Sequence, residues 1–532
     1  HKLIVYTRAV VSLQTEDTDK ARKAVTGKHT PVFRSSVSRF VQNATFMDEY
    51  SYDQGVGTGC QVLILTPQSY VSAFSGLAEV YEQSGMSLSI VSLEDVESGY
   101  NGLDLAEKIR NCIIDSYQNC GTEYVILGGD AEILPARGFY CQVQSSSVYE
   151  DYSIPSDLYY SALDGNWDTN GNGVWGEIGE DDLLPEVAVA RLPFSNLTEL
   201  NRMLHKSIAY QTSPVPGEFE KPLLAGELLY SNPLSWGADY LDLLIGYRTD
   251  NGYTTNGIPE DHEIEKLYER DLGYWSKQDL MERINQGKSF IHHAGHSNWD
   301  YAMKLSLNDI NNQNFSQVNG VIHNYTLVYT HGCICGAFDY SDCIAEEMLK
   351  IDNFAVAGAF NSRYGWFNEG QTEGPSAHLN REFVNALYTD GHTRIGATHM
   401  YSRIKTAPWV NAPGQWEEGA LRWCFYDCNI LGDAALKIWT ENITAISDQN
   451  RLQMDAFVRC QPVTGRIEFL PSSGYPFTAE LYDISGRLIL RQMVTDTKNT
   501  VIDVQGIENG VYLLVLKTPE TVASQKIVIQ NQ

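Results

Sequence analysis

Two runs inside Lys288–Lys350 decide the fold: FIHHAGHSNWDYAM (290–303) and TLVYTHGCICGAFDYSDCIAEEMLK (326–350). Each opens on a short apolar segment, Ser289–Ile291 and Thr326–Tyr329, with the length and composition of a buried strand. Each segment then runs into a Gly-containing turn. The first turn presents His296 and the second presents Cys333. A thiol and an imidazole at the ends of neighbouring strands form a cysteine-nucleophile arrangement.

Outward from this stretch the pattern repeats. Gln61–Thr66 (QVLILT), Leu88–Ser92 (LSIVS), Tyr124–Gly128 (YVILG), Pro222–Gly226 and Asn353–Ala359 (NFAVAGA) read as strands. Ser69–Ser84, Leu103–Tyr117 and Ser376–Tyr388 read as amphipathic helices, the last with Ser376 as its expected N-cap. Short apolar strands alternating with helices predict an α/β fold, a mostly parallel sheet covered on both faces. Function in such sheets collects at the carboxyl ends of the strands.

The α/β region is expected to span 59–440, in subdomains of about 59–215 and 216–440. Before it, 1–58 reads as the end of a preceding or pro-domain. It carries a basic stretch from Lys20 to Arg39 and a joint at Gln54–Gly59 (QGVGTG). The chain opens on His1 with no charged-then-apolar leader, so any signal or pro-segment is expected to have been removed or to lie outside this sequence. After it, 448–532 carries six short strands separated by Gly, Pro, Ser and Asn, the pattern of a small all-β sandwich.

The 532 residues include 38 basic and 67 acidic side chains, a net charge of −29. That surface disfavours nucleic acid and anionic membranes and attracts basic polypeptides. No apolar run approaches the roughly 18 residues of a membrane span. Ten cysteines are too sparse for a disulfide scaffold, although Cys112/Cys120 and Cys424/Cys428 are spaced closely enough to bridge.

Cys333, flanked by glycines, is the candidate nucleophile, with a thiol pKa expected to be lowered by a nearby helix N-terminus and histidine. His296 is the candidate base. Zinc is a rival reading of His292, His293, His296, Cys333 and Cys335. Consecutive residues on a strand point to opposite faces, which separates His292 from His293 and weakens it. Glu227, at the end of PLLAGE, is placed to orient the His296 imidazole as the third member of a triad. Asp164–Glu177 (DGNWDTNGNGVWGE) alternates oxygen ligands around a Gly-bent loop: Asp168, Asn170, Asn172, Glu177 and the Val174 carbonyl. This is calcium chemistry without EF-hand spacing, and a structural calcium ion is the expected cofactor.

These segments resemble the gingipain family of cysteine peptidases, in the caspase-like clan. The resemblance rests on YVILGGDAEILPAR (124–137), PEVAVARLP (185–193), GHSN (295–298), CICGAFDY (333–340), CIAEEML (343–349) and ILGDAALKI (430–438). It implies a caspase-like sheet, polypeptide substrates, Cys333 as nucleophile, His296 as base and Glu227 as the orienting carboxylate. It also implies an oxyanion site built from the backbone N–H groups of Cys333 and Ser297. Ser297 stands where the family usually has glycine. Asp239, in SWGADY, matches the aspartate that binds a P1 arginine in the arginine-specific members. Arg363, in the NSRYGW wall (361–366) that also holds Trp366, is expected to oppose it.

The tail, with ELYDISGRLIL (480–490), IDVQGIENGVYLLVLKT (502–518) and QKIVIQ (525–530), resembles the type IX secretion sorting domain. That implies export by the type IX machinery, to the medium or a bacterial cell surface. The resulting expectation is a secreted cysteine endopeptidase cleaving after Arg or Lys. The alternatives are a sortase-like transpeptidase using the same residues, and an inactive calcium-stabilised surface binding protein.

Overall fold

The computed structural model describes residues 59–412 and 416–441, together with 466–468, 477–483, 488–494, 501–517 and 522–529. The expectations for 1–58, including the Lys20–Arg39 stretch, lie outside the described residues. The chain divides into two compact units, His1–Asn442 and Ile443–Gln532.

The first unit is built on one ten-stranded sheet. In chain order its strands are β1 (Val62–Thr66), β2 (Leu88–Ser92), β3 (Tyr124–Gly128), β4 (Ala188–Leu192), β5 (Leu223–Gly226), β6 (Glu265–Tyr268), β7 (Phe290–Ala294), β8 (Thr326–Thr330), β9 (Ala355–Asn361) and β10 (Cys428–Leu431). Across the sheet the order is β6-β5-β7-β8-β9-β10-β4-β3-β1-β2. Every pairing is parallel except β9 with β10. β10, last in sequence, inserts between β9 and β4 and joins the two halves into one sheet. The apolar runs become strands because they are buried along their whole length, as in β1, β3, β7 and β8.

Helices cover the sheet, and their ends follow from local chemistry. Leu105–Cys120 starts at Asp104, whose side chain accepts from the Glu107 N–H, and stops at Gly121, left-handed at φ 76°. Leu197–Thr212 starts at Asn196, which accepts from the Thr198 and Glu199 N–H groups. The helix expected over 376–388 begins one residue earlier, at Pro375, with Gly374 as its N-cap. Proline suits that first position because its missing N–H would have no helical partner there. Ser376 is therefore inside the helix, and its hydroxyl instead accepts from the Trp366 N–H at 3.1 Å.

All nine cysteines among the described residues are free, so neither Cys112/Cys120 nor Cys424/Cys428 is bridged. In the second unit, Phe477–Asp483, Leu488–Val494, Gly510–Lys517 and Val522–Ile529 form a four-stranded antiparallel sheet. Arg466–Glu468 pairs separately with Val501–Asp503. Ile467, Leu481, Ile502 and Leu514 are among its buried residues.

Candidate active site

β5, β7 and β8 are adjacent, and their carboxyl ends carry Glu227, His296 and Cys333. The register sets the neighbours. His293 on β7 lies opposite Ala225 on β5 and Thr330 on β8. From there its ring bridges sideways. Nδ1 meets Thr330 Oγ1 at 2.7 Å and Nε2 meets Glu227 Oε1 at 2.9 Å. Gly295 keeps this pair together, since a Cβ there would lie 2.3 Å from His293 Nε2 and 2.6 Å from Glu227 Cδ.

The direct Glu227–His296 ring contact expected from the sequence is thus replaced by an indirect one. The second oxygen, Glu227 Oε2, accepts from the backbone N–H of His296 at 3.5 Å. The carboxylate grips the turn that bears His296, while the ring is held elsewhere. Burial acts to raise the Glu227 pKa, but the His293 hydrogen bond and charge, with Lys304 beyond, hold it below the ordinary 4.5. In the sequence His293 is read only as one of the rival zinc ligands, with no part in orienting His296. Its signal, a histidine level with a strand-end carboxylate, needs the register to be seen.

His296 is exposed and donates Nε2–H to the Leu228 carbonyl at 3.1 Å. In the neutral ring that tautomer leaves the lone pair on Nδ1, which is what a proton acceptor needs. His292 is core: buried, stacked on Phe290 at 4.4 Å, and held neutral by burial with its pKa pushed down to about 3. The two consecutive histidines do not share a set of ligands.

Cys333 follows β8 through His331 and Gly332. The Gly332 N–H donates to Thr330 Oγ1 at 3.0 Å. Asn361 Nδ2 donates to the His331 and Gly332 carbonyls at 3.2 and 3.1 Å. The thiol points to the Gly365 carbonyl at 3.6 Å. Burial pushes it up to about 11, the reverse of the expected lowering. The next helix starts only at Ile344, eleven residues on. Cys335 is fully buried, with its S–H on the Gly332 carbonyl at 3.7 Å.

A cavity of about 690 Å³ opens onto Cys333. Tyr149, Tyr364, Trp366 and Trp416 give it aromatic walls, and Glu369 and Glu417 add carboxylates. Of the three residues expected to bind substrate, Trp366 lines it; Asp239 and Arg363 do not. Arg363 does not oppose Asp239. Its guanidinium bonds Asp151 at 2.9 Å and Asp339 at 2.7 Å. The cation on Asp239 is Arg270, at 2.5 Å, which also pairs with Asp242 and Asp271. That partner lies 31 residues along the chain and has no local signature.

In the acidic loop, Asp168 Oδ1 and Oδ2 accept from the Asn172 and Gly173 N–H groups at 3.0 and 3.1 Å. Glu177 Oε2 accepts from the amides of Asn170 (3.0 Å) and Asn172 (2.7 Å). Asn172 Oδ1 accepts from the Val174 N–H at 2.7 Å. These bonds draw the side chains together, and carboxylate and amide oxygens are the hard donors that calcium takes. An ion there would need both asparagine amides turned to exchange nitrogen for oxygen. A different acidic group, Asp130, Asp342 and Glu346, brings oxygens within 4.8 Å of one another. Lys350 already bonds Asp342 there and lies 3.9 Å from Glu346.

A thiol and an imidazole stand on turns at the carboxyl ends of neighbouring parallel strands, beside an open cavity, the layout that cysteine nucleophiles use. The chain belongs to peptidase family C25, whose model matches residues 56–439. A secretion system C-terminal sorting domain matches residues 461–530.

Lys-gingipain of Porphyromonas gingivalis (strain ATCC 33277) is 20% identical over 364 residues, covering 66% of this chain and 18% of that protein. An uncharacterized protein of Archaeoglobus fulgidus is 24% identical over 264 residues, covering 45% of this chain and 58% of that protein. The chain thus spans less than two thirds of each of these relatives. Among solved structures, the Arg specific cysteine proteinase gingipain R is similar in fold, with a TM-score of 0.55 at 16% identity, over 90% of this chain and all of that one. The sorting domain and the gingipain relatives mark a secreted or cell-surface protein.

Proposed function

We propose that the protein is a cysteine endopeptidase working through Cys333 and His296. Substrate enters the cavity beside the sulfur. His296 Nδ1 takes the thiol proton as the sulfur attacks the scissile carbonyl. The resulting oxyanion is held by the backbone N–H groups of Cys333 and Ser297. Collapse expels the amine, which takes the proton back from His296 and leaves an acyl-enzyme. Water, deprotonated by His296, attacks the thioester, and collapse expels the Cys333 sulfur, which takes that proton back from His296, and frees the acid. A thiol with a pKa near 11 is protonated at rest, so its proton passes to His296 as part of the attack rather than before it.

One observation supports this reading above the others: Ser297 Oγ donates to the Cys333 carbonyl at 2.8 Å, which brings the histidine and cysteine turns together. The test is turnover of a peptide library by Cys333→Ala. Loss of all cleavage with an unchanged melting temperature is the expected result; retained cleavage would overturn the proposal.

The preference for Arg or Lys at P1 is supported by Glu369 and Glu417 among the aromatic walls, where a cation gains from both charge and ring faces. Asp239 contributes only if Arg270 turns away from it. The loop at 168–177 would hold calcium as a structural ion, through Asp168, Asn170, Asn172, Glu177 and the Val174 carbonyl. The tail would hand the chain to type IX secretion machinery.

A further inference from the structure

Ile334, the residue after Cys333, sits at φ 62°. A β-branched residue avoids that left-handed region, because its side chain crowds the backbone there. Such a conformation persists only where its surroundings over-determine it. Here the peptide unit linking Cys333 to Ile334 is gripped at both polar ends. Its carbonyl accepts from Ser297 Oγ at 2.8 Å. Its N–H donates to the Arg363 carbonyl at 2.7 Å. The preceding two carbonyls are fixed by Asn361 Nδ2. The Ile334 carbonyl then accepts from the Ala337 N–H at 3.1 Å, which closes the turn.

Ser297 is the one member of this set that comes from the histidine turn. The approach is close: a Cβ at Gly332 would lie 2.0 Å from Ser297 Oγ. Without the hydroxyl, the Cys333 carbonyl loses its bond to the β7 side of the site. The peptide is then able to rotate and relieve Ile334, and the Cα of Cys333, which carries the thiol, is no longer pinned from the histidine side.

We propose that Ser297 is a positioning residue. Its hydroxyl clamps the Cys333–Ile334 peptide against the Arg363 carbonyl, holds Ile334 left-handed, and so fixes the thiol of Cys333 relative to the turn that bears His296. This rests on the peptidase reading, in which Cys333 is the nucleophile. The clamp is needed because residue 334 is strained, and glycine there would carry no such strain.

The test is a double-mutant cycle in the full chain: wild type, Ser297→Ala, Ile334→Gly and the pair, with Ser297→Thr as the conservative variant. Ser297→Ala is expected to lower kcat about tenfold, since a small misplacement of a reacting group is costly. KM should stay within about twofold, because ground-state binding is untouched. Ser297→Thr, which keeps the hydroxyl, should restore kcat. In the Ile334→Gly background the same alanine change should cost about twofold or less, the mark of coupled neighbours. An equal fold-loss in both backgrounds, or no loss from Ser297→Ala, would overturn the clamp. If wild type shows no turnover, the peptidase reading fails and the clamp is judged on melting. Ser297→Ala must then lower the melting temperature more in the native background than in the Ile334→Gly background, and equal shifts would overturn it.

Discussion

The two halves of the ten-stranded sheet share an architecture and differ in what their strand ends leave unspent. In the β1–β4 half, Arg191 is fully buried and bonds Asp157 through two nitrogens, at 2.9 and 2.7 Å. Its remaining nitrogen reaches the Gly129 and Leu134 carbonyls at 3.0 and 2.6 Å. Charge at that edge is consumed in holding the fold. In the β5–β8 half, Glu227 and His293 are equally satisfied, yet beside them stand an exposed imidazole and a thiol whose partner among the described residues is a weak carbonyl contact. Chemistry sits where the scaffold stops short of saturating a polar group.

The contrast can be broken from either side. Arg191→Met leaves Asp157 buried and unpaired, and should cost about 3–5 kcal/mol of stability by denaturant unfolding. The kcat of the remaining folded enzyme should be unchanged. His296→Gln should do the opposite, lowering kcat by about a hundred- to ten-thousand-fold, the range for a lost general base. Its melting temperature should hold. If Arg191→Met altered kcat with stability intact, the division between the halves would be wrong.

Smaller effects sharpen the site itself. Glu369→Gln with Glu417→Gln should lower kcat/KM for Arg and Lys at P1 by about tenfold, one good charge contact, and leave apolar P1 residues unaffected. In Glu227 the folded pKa lies below the ordinary 4.5. Its contribution is therefore present above about pH 4.5 and lost as pH falls through the folded value. Glu227→Gln should lower stability at neutral pH, where that contribution is present, and flatten the acid limb as the difference from wild type disappears. The smallest expected change is in the acidic loop. Chelation should lower the melting temperature by a few degrees, and Glu177→Gln should abolish that response; no response in wild type would remove calcium from the account.

The sequence exposed much of this and concealed some, for physical reasons. QVLILT and YVILG announce themselves because a strand buried on both faces is a continuous apolar run. β4 hid behind Arg191, a charge in the middle of AVARL whose partner Asp157 is 34 residues away. β6, at the sheet edge, reads EKLY with only its last two residues buried, so it has no apolar run to show. β10 is four residues between a helix and a turn. At the site, GHS and GCIC stood out because glycine, thiol and imidazole cluster there. What stayed hidden were pairings across sequence: Glu227 with His293, Asp239 with Arg270, and Arg363 with Asp151 and Asp339. Each depends on which strand lies beside which.

The measurement closest to the central claim is covalent labelling with a peptidyl acyloxymethyl ketone, mapped by mass spectrometry. One adduct on Cys333 is predicted, slowed strongly in His296→Gln. Labelling by plain iodoacetamide should instead climb with pH toward about 11, as a thiol protonated at rest requires. An adduct on Cys335, or peptidyl labelling of Cys333 indifferent to His296, would contradict the account.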